Sequence, residues 1–239
     1  MTRKTVLITG ASAGIGAACA RLAAKRGYDL YLNYNSDAAG AEATARAARA
    51  DGATATVLQA DVGDPQAIAA MFAQITRLDG LINNAGIVGP TAKLTEMSHE
   101  RLKRMFDVNV IGAMLVAKEA VLRMDQGVIV NLSSAAARLG SGNQYLDYAA
   151  SKAAIDTFTK GLSDEVAHKG IRVVSVRPGI IDTDIHAKGG EPDRADRLAP
   201  MVPMKRKANP EEVAETILWL MSDQASYITG TTIDVTGGR

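Results

Sequence analysis

The chain has 239 residues, of which 47% are hydrophobic and 22% are charged, which is typical of a globular protein and excludes a disordered one. A formal net charge of +1 gives no electrostatic reason to expect nucleic acid or an anionic membrane as a partner. The single cysteine, Cys19, excludes an internal disulfide, and no signal segment or membrane span is recognisable, so we expect a cytoplasmic protein.

Short apolar runs alternate with longer amphipathic stretches along the chain. The apolar runs predict strands that are buried on both faces, as in a parallel sheet. They lie at residues 6–8, 30–32, 57–58, 81–82, 128–130 and 173–176. The amphipathic stretches predict helices over residues 17–26 and 145–168, and further helices that begin at the capping residues Asp64, Ser98 and Asn209.

This alternation of strand and helix, repeated about six times, indicates one α/β domain over residues 1–239. We expect a doubly wound parallel sheet with helices on both faces and right-handed crossovers. Residues 187–207 show no clear periodicity and are rich in glycine, proline and charge, so we expect a lid or a disordered insertion there.

A glycine-rich loop, Gly10-Ala11-Ser12-Ala13-Gly14-Ile15-Gly16, follows the first predicted strand and leads into a helix. In this context backbone N–H groups and the helix N-terminus can face a pyrophosphate. The spacing departs from the common dinucleotide fingerprint, so a turn that merely needs small residues is the alternative. No lysine follows at the position that a phosphate-transferring loop requires, which argues against ATP or GTP hydrolysis.

Tyr148 and Lys152 lie four residues apart, on one face of a predicted helix. A nearby cation can lower the tyrosine pKa from about 10 by about 1–3, into the range where general acid–base catalysis is efficient. An ordinary surface pair is the alternative. Ser134 lies 14 residues upstream of Tyr148, at the carboxyl end of a strand where open α/β sheets bind ligands, and Ser133 is a neighbouring candidate.

Together these motifs resemble the short-chain dehydrogenase/reductase family, in its compact single-domain branch. The resemblance extends from residue 9 to residue 238, with the motifs in the family's order. The matching segments are Thr9 to Gly16, Asp61-Val62, Asn83-Asn84-Ala85-Gly86, Asn109, Ser133-Ser134, Tyr148 with Lys152, Pro178-Gly179 with Thr183, and Thr229-Gly230 to Gly237-Gly238. The resemblance implies a Rossmann-type sheet of about seven strands in the order 3-2-1-4-5-6-7.

The resemblance also implies a role for each catalytic residue. Tyr148 is expected to act as general acid/base on a carbonyl or alcohol oxygen, and Lys152 to lower the pKa of Tyr148 and bind the nicotinamide ribose. Ser134 is expected to hold and polarise the substrate oxygen. Asn109 is expected to kink its helix and support a proton-relay water. The family's usual spacing from serine to tyrosine points to position 135, which is an alanine here, so an extra loop residue leaves Ser134 as the match.

The same resemblance implies a set of dinucleotide-binding residues. They are Gly10, Ser12, Gly14, Ile15, Gly16, Tyr34, Asn35, Ser36, Asp61, Val62, Asn84, Ala85, Gly86, Tyr148, Lys152, Pro178, Gly179, Ile181 and Thr183. Asp61 is expected to contact the adenine amino group, while Thr183 and the Ile181 backbone hold the carboxamide.

NADP(H) is the favoured cofactor, because Tyr34 stands where NAD-preferring members carry an aspartate. Asn35 and Ser36 then offer donors to a 2′-phosphate. Ala13, at a position where many NADP enzymes carry a basic residue, and the nearby Asp37 count against this preference, so NAD(H) is also possible.

The expected partner is a small carbonyl or alcohol substrate, and fatty-acyl thioesters, sugars, steroids, quinones and simple ketones all stay open. The three histidines are widely separated, so we expect no metal site. The helices over 102–123 and 145–168 commonly pack across two-fold axes in the family, which implies a homotetramer or a homodimer. A catalytically silent nucleotide sensor or scaffold is the alternative function, disfavoured because all four catalytic residue types are present.

Overall fold

In a computed structural model of the chain, which describes residues 3–239 apart from the side chains of His186 and Lys188, seven strands form one parallel sheet. The strands are β1 (Lys4–Ile8), β2 (Tyr28–Tyr34), β3 (Ala55–Gln59), β4 (Gly80–Asn83), β5 (Gly127–Leu132), β6 (Ile171–Pro178) and β7 (Thr232–Val235). Their order is β3-β2-β1-β4-β5-β6-β7. This order confirms the predicted doubly wound sheet.

Helices cover both faces of the sheet. They are α1 (Gly14–Lys25), α2 (Ala38–Ala50), α3 (Pro65–Phe72), α4 (His99–Phe106), α5 (Ala113–Val121), α6 (Ala136–Leu139), α7 (Leu146–Val166), α8 (Ile185–Lys188), α9 (Arg194–Leu198) and α10 (Pro210–Leu220). Along β1, Val6 and Ile8 belong to the hydrophobic cluster on one face, and Leu7 belongs to the cluster on the other. The alternation follows because successive side chains of a strand point to opposite faces.

Irregularities in the helices occur near the carboxyl edge of the sheet. A π-helical segment, Asp107–Gly112, joins α4 to α5, and such segments are frequent at functional sites. The predicted lid over 187–207 contains the short helix α9 and the 3₁₀ turn Ala199–Met201. Few apolar side chains of this segment are buried, among them Ala195, Leu198 and Val202, which explains why it has no clear hydrophobic period.

Loops at the carboxyl ends of the central strands are tied to one another. The Thr9 hydroxyl, after β1, accepts hydrogen bonds from the backbone N–H groups of Asn84 and Ala85, after β4. The Ala135 N–H, after β5, donates to the Pro178 carbonyl at the end of β6. The sheet therefore collects the glycine loop and the segments with Asn84, Ser134 and Pro178 at one edge. Among residues 3–239, no helix is long and apolar enough to cross a membrane.

Candidate active site

A cavity of about 950 Å³ opens at this carboxyl edge. Most of the predicted dinucleotide-binding residues line it: Gly10, Ser12, Gly14, Ile15, Asn35, Ser36, Asp61, Val62, Asn84, Ala85, Gly86, Tyr148, Lys152, Pro178, Gly179, Ile181 and Thr183. Ser134 lines it as well. Gly16, Tyr34 and Asn109 do not line it.

The glycine loop has the shape of an anion cradle. Gly10 and Gly14 adopt left-handed backbone conformations, with φ of +64° and +54°, which favour glycine. A Cβ on Gly16 would lie 2.3 Å from the Gly10 carbonyl oxygen, so Gly16 allows α1 to pack against the loop. Ala13, the N-cap of α1, provides no side-chain cap. The free N–H groups of this helix N-terminus fit the pyrophosphate of a dinucleotide.

At the end of β2, Asn35 and Ser36 are exposed and line the cavity, whereas Tyr34 does not. Asp37 also lines the cavity, but its carboxylate caps α2 by accepting a hydrogen bond of 2.9 Å from the Gly40 N–H. The helix N-terminus therefore offsets part of the negative charge of Asp37, which counted against the binding of a 2′-phosphate at this place.

Two polar residues of this region were not predicted. The buried Asn33 amide donates to the carbonyls of Leu58 and Ala60 and accepts from the Gly10 N–H, so it ties β3 and the glycine loop to β2. The sequence signal that could have pointed to Asn33 is its polar amide within an otherwise apolar strand. Arg104 lines the cavity and donates to the Asp61 carboxylate at 2.7 Å. No local pattern links these two residues, which are 43 positions apart.

Tyr148 and Ser134 both line the cavity, and their side chains are hydrogen-bond partners. Burial raises the pKa of the Tyr148 phenol above its ordinary value of 10, and a hydrogen bond with Ser134 opposes part of this rise. This rise is opposite to the expectation from the sequence, which was that Lys152 lowers the pKa of Tyr148. The Lys152 Nζ atom lies 5.7 Å from the centroid of the Tyr148 ring and donates to the Leu132 carbonyl, so burial dominates at the phenol.

Lys152 is almost fully buried, with 5% of its surface exposed. Its Nζ atom donates to the Leu132 carbonyl oxygen at 2.7 Å. Burial lowers the pKa of the Lys152 ammonium from 10.5 to about 8, and the Asp156 carboxylate opposes part of this shift. Lys152 therefore carries its charge at neutral pH at an energetic cost.

The two neighbouring serines have different roles. The Ser133 hydroxyl is buried and donates to the backbone carbonyl of Lys152 at 3.0 Å, which fixes α7 against the end of β5. The Ser134 hydroxyl accepts from the Ala136 N–H and is a hydrogen-bond partner of Tyr148. These contacts favour Ser134 over Ser133 as the substrate-binding hydroxyl.

Asn109 lies within the π-helical segment, and its buried side chain is hydrogen-bonded to several protein groups. Its Nδ2 donates to the Ile87 carbonyl at 2.9 Å and to the Ser151 hydroxyl at 3.1 Å, and its Oδ1 accepts from the Ile87 N–H. The amide therefore holds the loop after β4, as a satisfied core amide does. The π-helical geometry around it agrees with the expected distortion of the helix.

A buried ion pair at the start of α7 was not predicted either. The Asp147 carboxylate is fully buried and accepts from both Nε and Nη2 of Arg101, at 2.8 and 3.2 Å. It also accepts from the Tyr148 N–H at 2.9 Å. This bidentate pair fixes the helical turn that carries Tyr148.

Within the described residues, no group of His, Cys, Asp or Glu side chains could hold a metal ion, and the His186 side chain lies outside that description.

We predict that Lys152→Met raises the free energy of unfolding near pH 7. A lysine pKa of about 8 in the folded chain, against 10.5, corresponds to about 3 kcal/mol of destabilisation in the wild type. Losing the hydrogen bond to the Leu132 carbonyl offsets about 1 kcal/mol of the gain. The gain is complete below pH 8 and shrinks between pH 8 and 10.5, because the folded wild type releases its proton before the unfolded chain does.

Urea unfolding at a series of pH values measures this difference. Lys160→Met is the matched control, because Lys160 is exposed and pairs with Asp164 on the surface. A wild type that is as stable as Lys152→Met at pH 7, or a difference that does not change with pH, would contradict the prediction.

Known proteins resemble the chain over nearly its full length. The profile of the family described as Enoyl-(Acyl carrier protein) reductase matches residues 10–239. The uncharacterized oxidoreductase YgfF of Escherichia coli is 48% identical, over 98% of both chains. The 3beta-hydroxysteroid dehydrogenase 1 of Eggerthella lenta is 40% identical, over 98% of this chain and 93% of that protein.

Among solved structures, a short chain dehydrogenase from Burkholderia cenocepacia in complex with NADP superimposes with a TM-score of 0.92. It is 30% identical, and the match covers 98% of this chain and 97% of that chain. The Burkholderia cenocepacia structure therefore shares the fold described above. The chain therefore belongs to the short-chain dehydrogenase/reductase family of NAD(P)-dependent oxidoreductases.

Proposed function

We propose that residues 1–239 act as a single-domain, NADP(H)-dependent oxidoreductase in which Tyr148 exchanges a proton with a carbonyl or alcohol oxygen. The observation that carries the proposal is the convergence of a phenol, a hydroxyl and a buried ammonium, from Tyr148, Ser134 and Lys152, on the cavity that contains the glycine cradle. The cofactor, when bound, supplies or accepts the hydride. A cytoplasmic location suits a protein whose one cysteine, Cys19, is free and buried.

The protein groups divide the work at the substrate oxygen. Ser134 holds the oxygen by a hydrogen bond, and Tyr148 delivers or removes the proton at the same atom. Lys152 keeps a positive charge near the phenol, which favours its ionised form when the reaction runs toward the carbonyl. Asn109 and the Arg101–Asp147 pair hold the surrounding segments in place.

NADP(H) is the preferred cofactor in this proposal. Exposed Asn35 and Ser36 line the end of the cavity beyond β2, where a 2′-phosphate would lie, and Asp37 is engaged as a helix cap. The Burkholderia cenocepacia relative is described in complex with NADP. NAD(H) is the secondary cofactor.

We predict that Tyr148→Phe lowers kcat by roughly 10²- to 10⁴-fold, because the variant lacks the group that transfers the proton. NADPH oxidation against a diverse panel of aldehydes and ketones measures the change. Tyr227→Phe is the control, because Tyr227 is fully exposed. Turnover of Tyr148→Phe near that of the wild type, with cofactor binding intact by fluorescence titration, would refute the assigned role.

We predict that Asn35→Asp raises KM for NADPH by about tenfold and leaves KM for NADH little changed, because a carboxylate beside the 2′-phosphate repels it. The kcat/KM values for the two cofactors measure the shift. Asn209→Asp is the control, since it makes the same chemical change at the exposed N-cap of α10. A wild-type preference for NADH above tenfold, or an equal effect of Asn35→Asp on both cofactors, would overturn the NADP assignment.

We also propose that the chain assembles as a homotetramer through the faces of α4 and α5 and of α7. Large apolar side chains are exposed along the first of these faces: Phe106, Ile111, Met114 and Leu122. Several large apolar side chains exposed on neighbouring helical segments support an interaction site there.

Light scattering at micromolar concentration is expected to give about 100 kDa, the mass of four 25.1-kDa chains. Ile111→Glu, which places a charge on the proposed interface, is expected to lower this mass. A wild-type mass of one chain would contradict the proposal.

A further inference from the structure

Two buried side-chain nitrogen atoms in residues 3–239 have no hydrogen-bond partner, and both belong to arginines. They are the Nη1 atoms of Arg194 and Arg239, and both arginines line the large cavity. Buried donors in folded proteins almost always have a partner, and a charged donor left without one costs free energy. Their location on one cavity indicates that a ligand supplies the partner.

Two contacts position the Arg194 side chain. It lies in α9, within residues 187–207, and is only 11% exposed. Its guanidinium carbon lies 4.8 Å from the centroid of the Tyr145 ring, in cation–π contact. The nearest carboxylate oxygen, from Glu191, is 3.7 Å from Nη1, which is too far for a hydrogen bond. The guanidinium is therefore preorganised but not satisfied.

Glu191 is engaged elsewhere. Its carboxylate accepts hydrogen bonds from the Thr91 hydroxyl, from the Tyr145 hydroxyl at 2.6 Å and from Arg197. The bonds from Thr91 and Tyr145 hold the pKa of Glu191 down at about 2, so it stays ionised. Glu191 is thus shared between the guanidinium groups of Arg194 and Arg197 and cannot neutralise both. Asp184 also lines the cavity, but it is exposed and water screens its charge.

The positive charge lies on the side of the cavity where Tyr148 is found. Tyr145, on which Arg194 stacks, is the N-cap residue of α7 and stands three positions before Tyr148. The glycine loop, by contrast, follows β1 and is bonded to Asn33 and Asn84. The contacts of Arg194 thus lie with the substrate-binding groups and not with the phosphate cradle.

We propose that Arg194 binds an oxyanion of the substrate, so that the enzyme acts on carbonyl or alcohol compounds that carry a carboxylate or phosphate away from the reacting carbon. A planar guanidinium is well suited to either group. The inference rests on the proposed oxidoreductase function and specifies its substrate class.

Matched pairs of compounds test the proposal. We expect the wild type to show at least tenfold higher kcat/KM for the charged member of one pair: 5-oxohexanoate against its methyl ester, or dihydroxyacetone phosphate against dihydroxyacetone. The pair that shows the preference distinguishes carboxylate from phosphate. Arg194→Gln is expected to lower kcat/KM for that anion roughly 10- to 100-fold and to leave the neutral member unchanged.

Arg197→Gln is the matched control. Arg197 pairs with the same Glu191, is 59% exposed and does not line the cavity. It is expected to leave the preference for the anion intact. Equal kcat/KM for both members of both pairs, or an Arg194→Gln variant that loses anion and neutral compound alike, would overturn the inference and leave the oxidoreductase proposal standing.

A binding measurement separates this inference from the proposed function. Calorimetry with NADP⁺ present compares cyclohexanecarboxylate with cyclohexanecarboxamide, which has the same shape and no charge. We expect the wild type to bind the carboxylate more tightly and Arg194→Gln to lose the difference. If the wild type reduces no aldehyde or ketone, the proposed function is wrong. If the wild type binds cyclohexanecarboxylate no better than the carboxamide, and prefers neither anion in the matched pairs, the inference about Arg194 is wrong.

Discussion

The burial of the Lys152 ammonium group is the constraint on which the rest of the site depends. Its Nζ atom bonds to the last carbonyl of β5, at Leu132, and Ser133 bonds to the backbone of Lys152 itself. A Cβ on Gly86 would lie 3.3 Å from Nζ, so the loop after β4 passes close to the charge. One buried cation thus joins α7 to the end of β5 and lies beside the loop after β4, at a cost in stability that shows in its lowered pKa.

The groups around this cation form a rigid frame of backbone-directed hydrogen bonds. Asn109, from the π-helical segment, holds both backbone groups of Ile87. Arg101 clamps the buried Asp147 carboxylate, which in turn receives the Tyr148 N–H. Catalytic geometry requires such preorganised support. Arg194, from residues 187–207, lines the same cavity, which links the proton-transfer site to the proposed choice of substrate.

The sheet order and the cavity lining could be predicted because they depend on short-range signals: apolar runs, glycine spacing and the motifs of one family. Contacts between distant residues, such as Arg104 with Asp61, leave no trace in local periodicity. The sequence placed Tyr34, Asn35 and Ser36 together at the cofactor, and of these three Asn35 and Ser36 line the cavity whereas Tyr34 does not, because the end of a strand decides which side chain faces out. The direction of the Tyr148 pKa shift depends on burial, which only the folded chain determines.

Whether Tyr148 is a competent proton donor is measured most directly by the pKa of its phenol. The ultraviolet difference absorbance between the wild type and Tyr148→Phe, followed against pH, isolates this one tyrosine. For the protein alone we expect a pKa above the ordinary value of 10. With saturating NADP⁺, whose nicotinamide ring is cationic, we expect the pKa of the phenol to fall below that ordinary value, because a nearby positive charge favours the ionised form. A phenol pKa that stays above 10 when cofactor is bound would contradict the role of Tyr148.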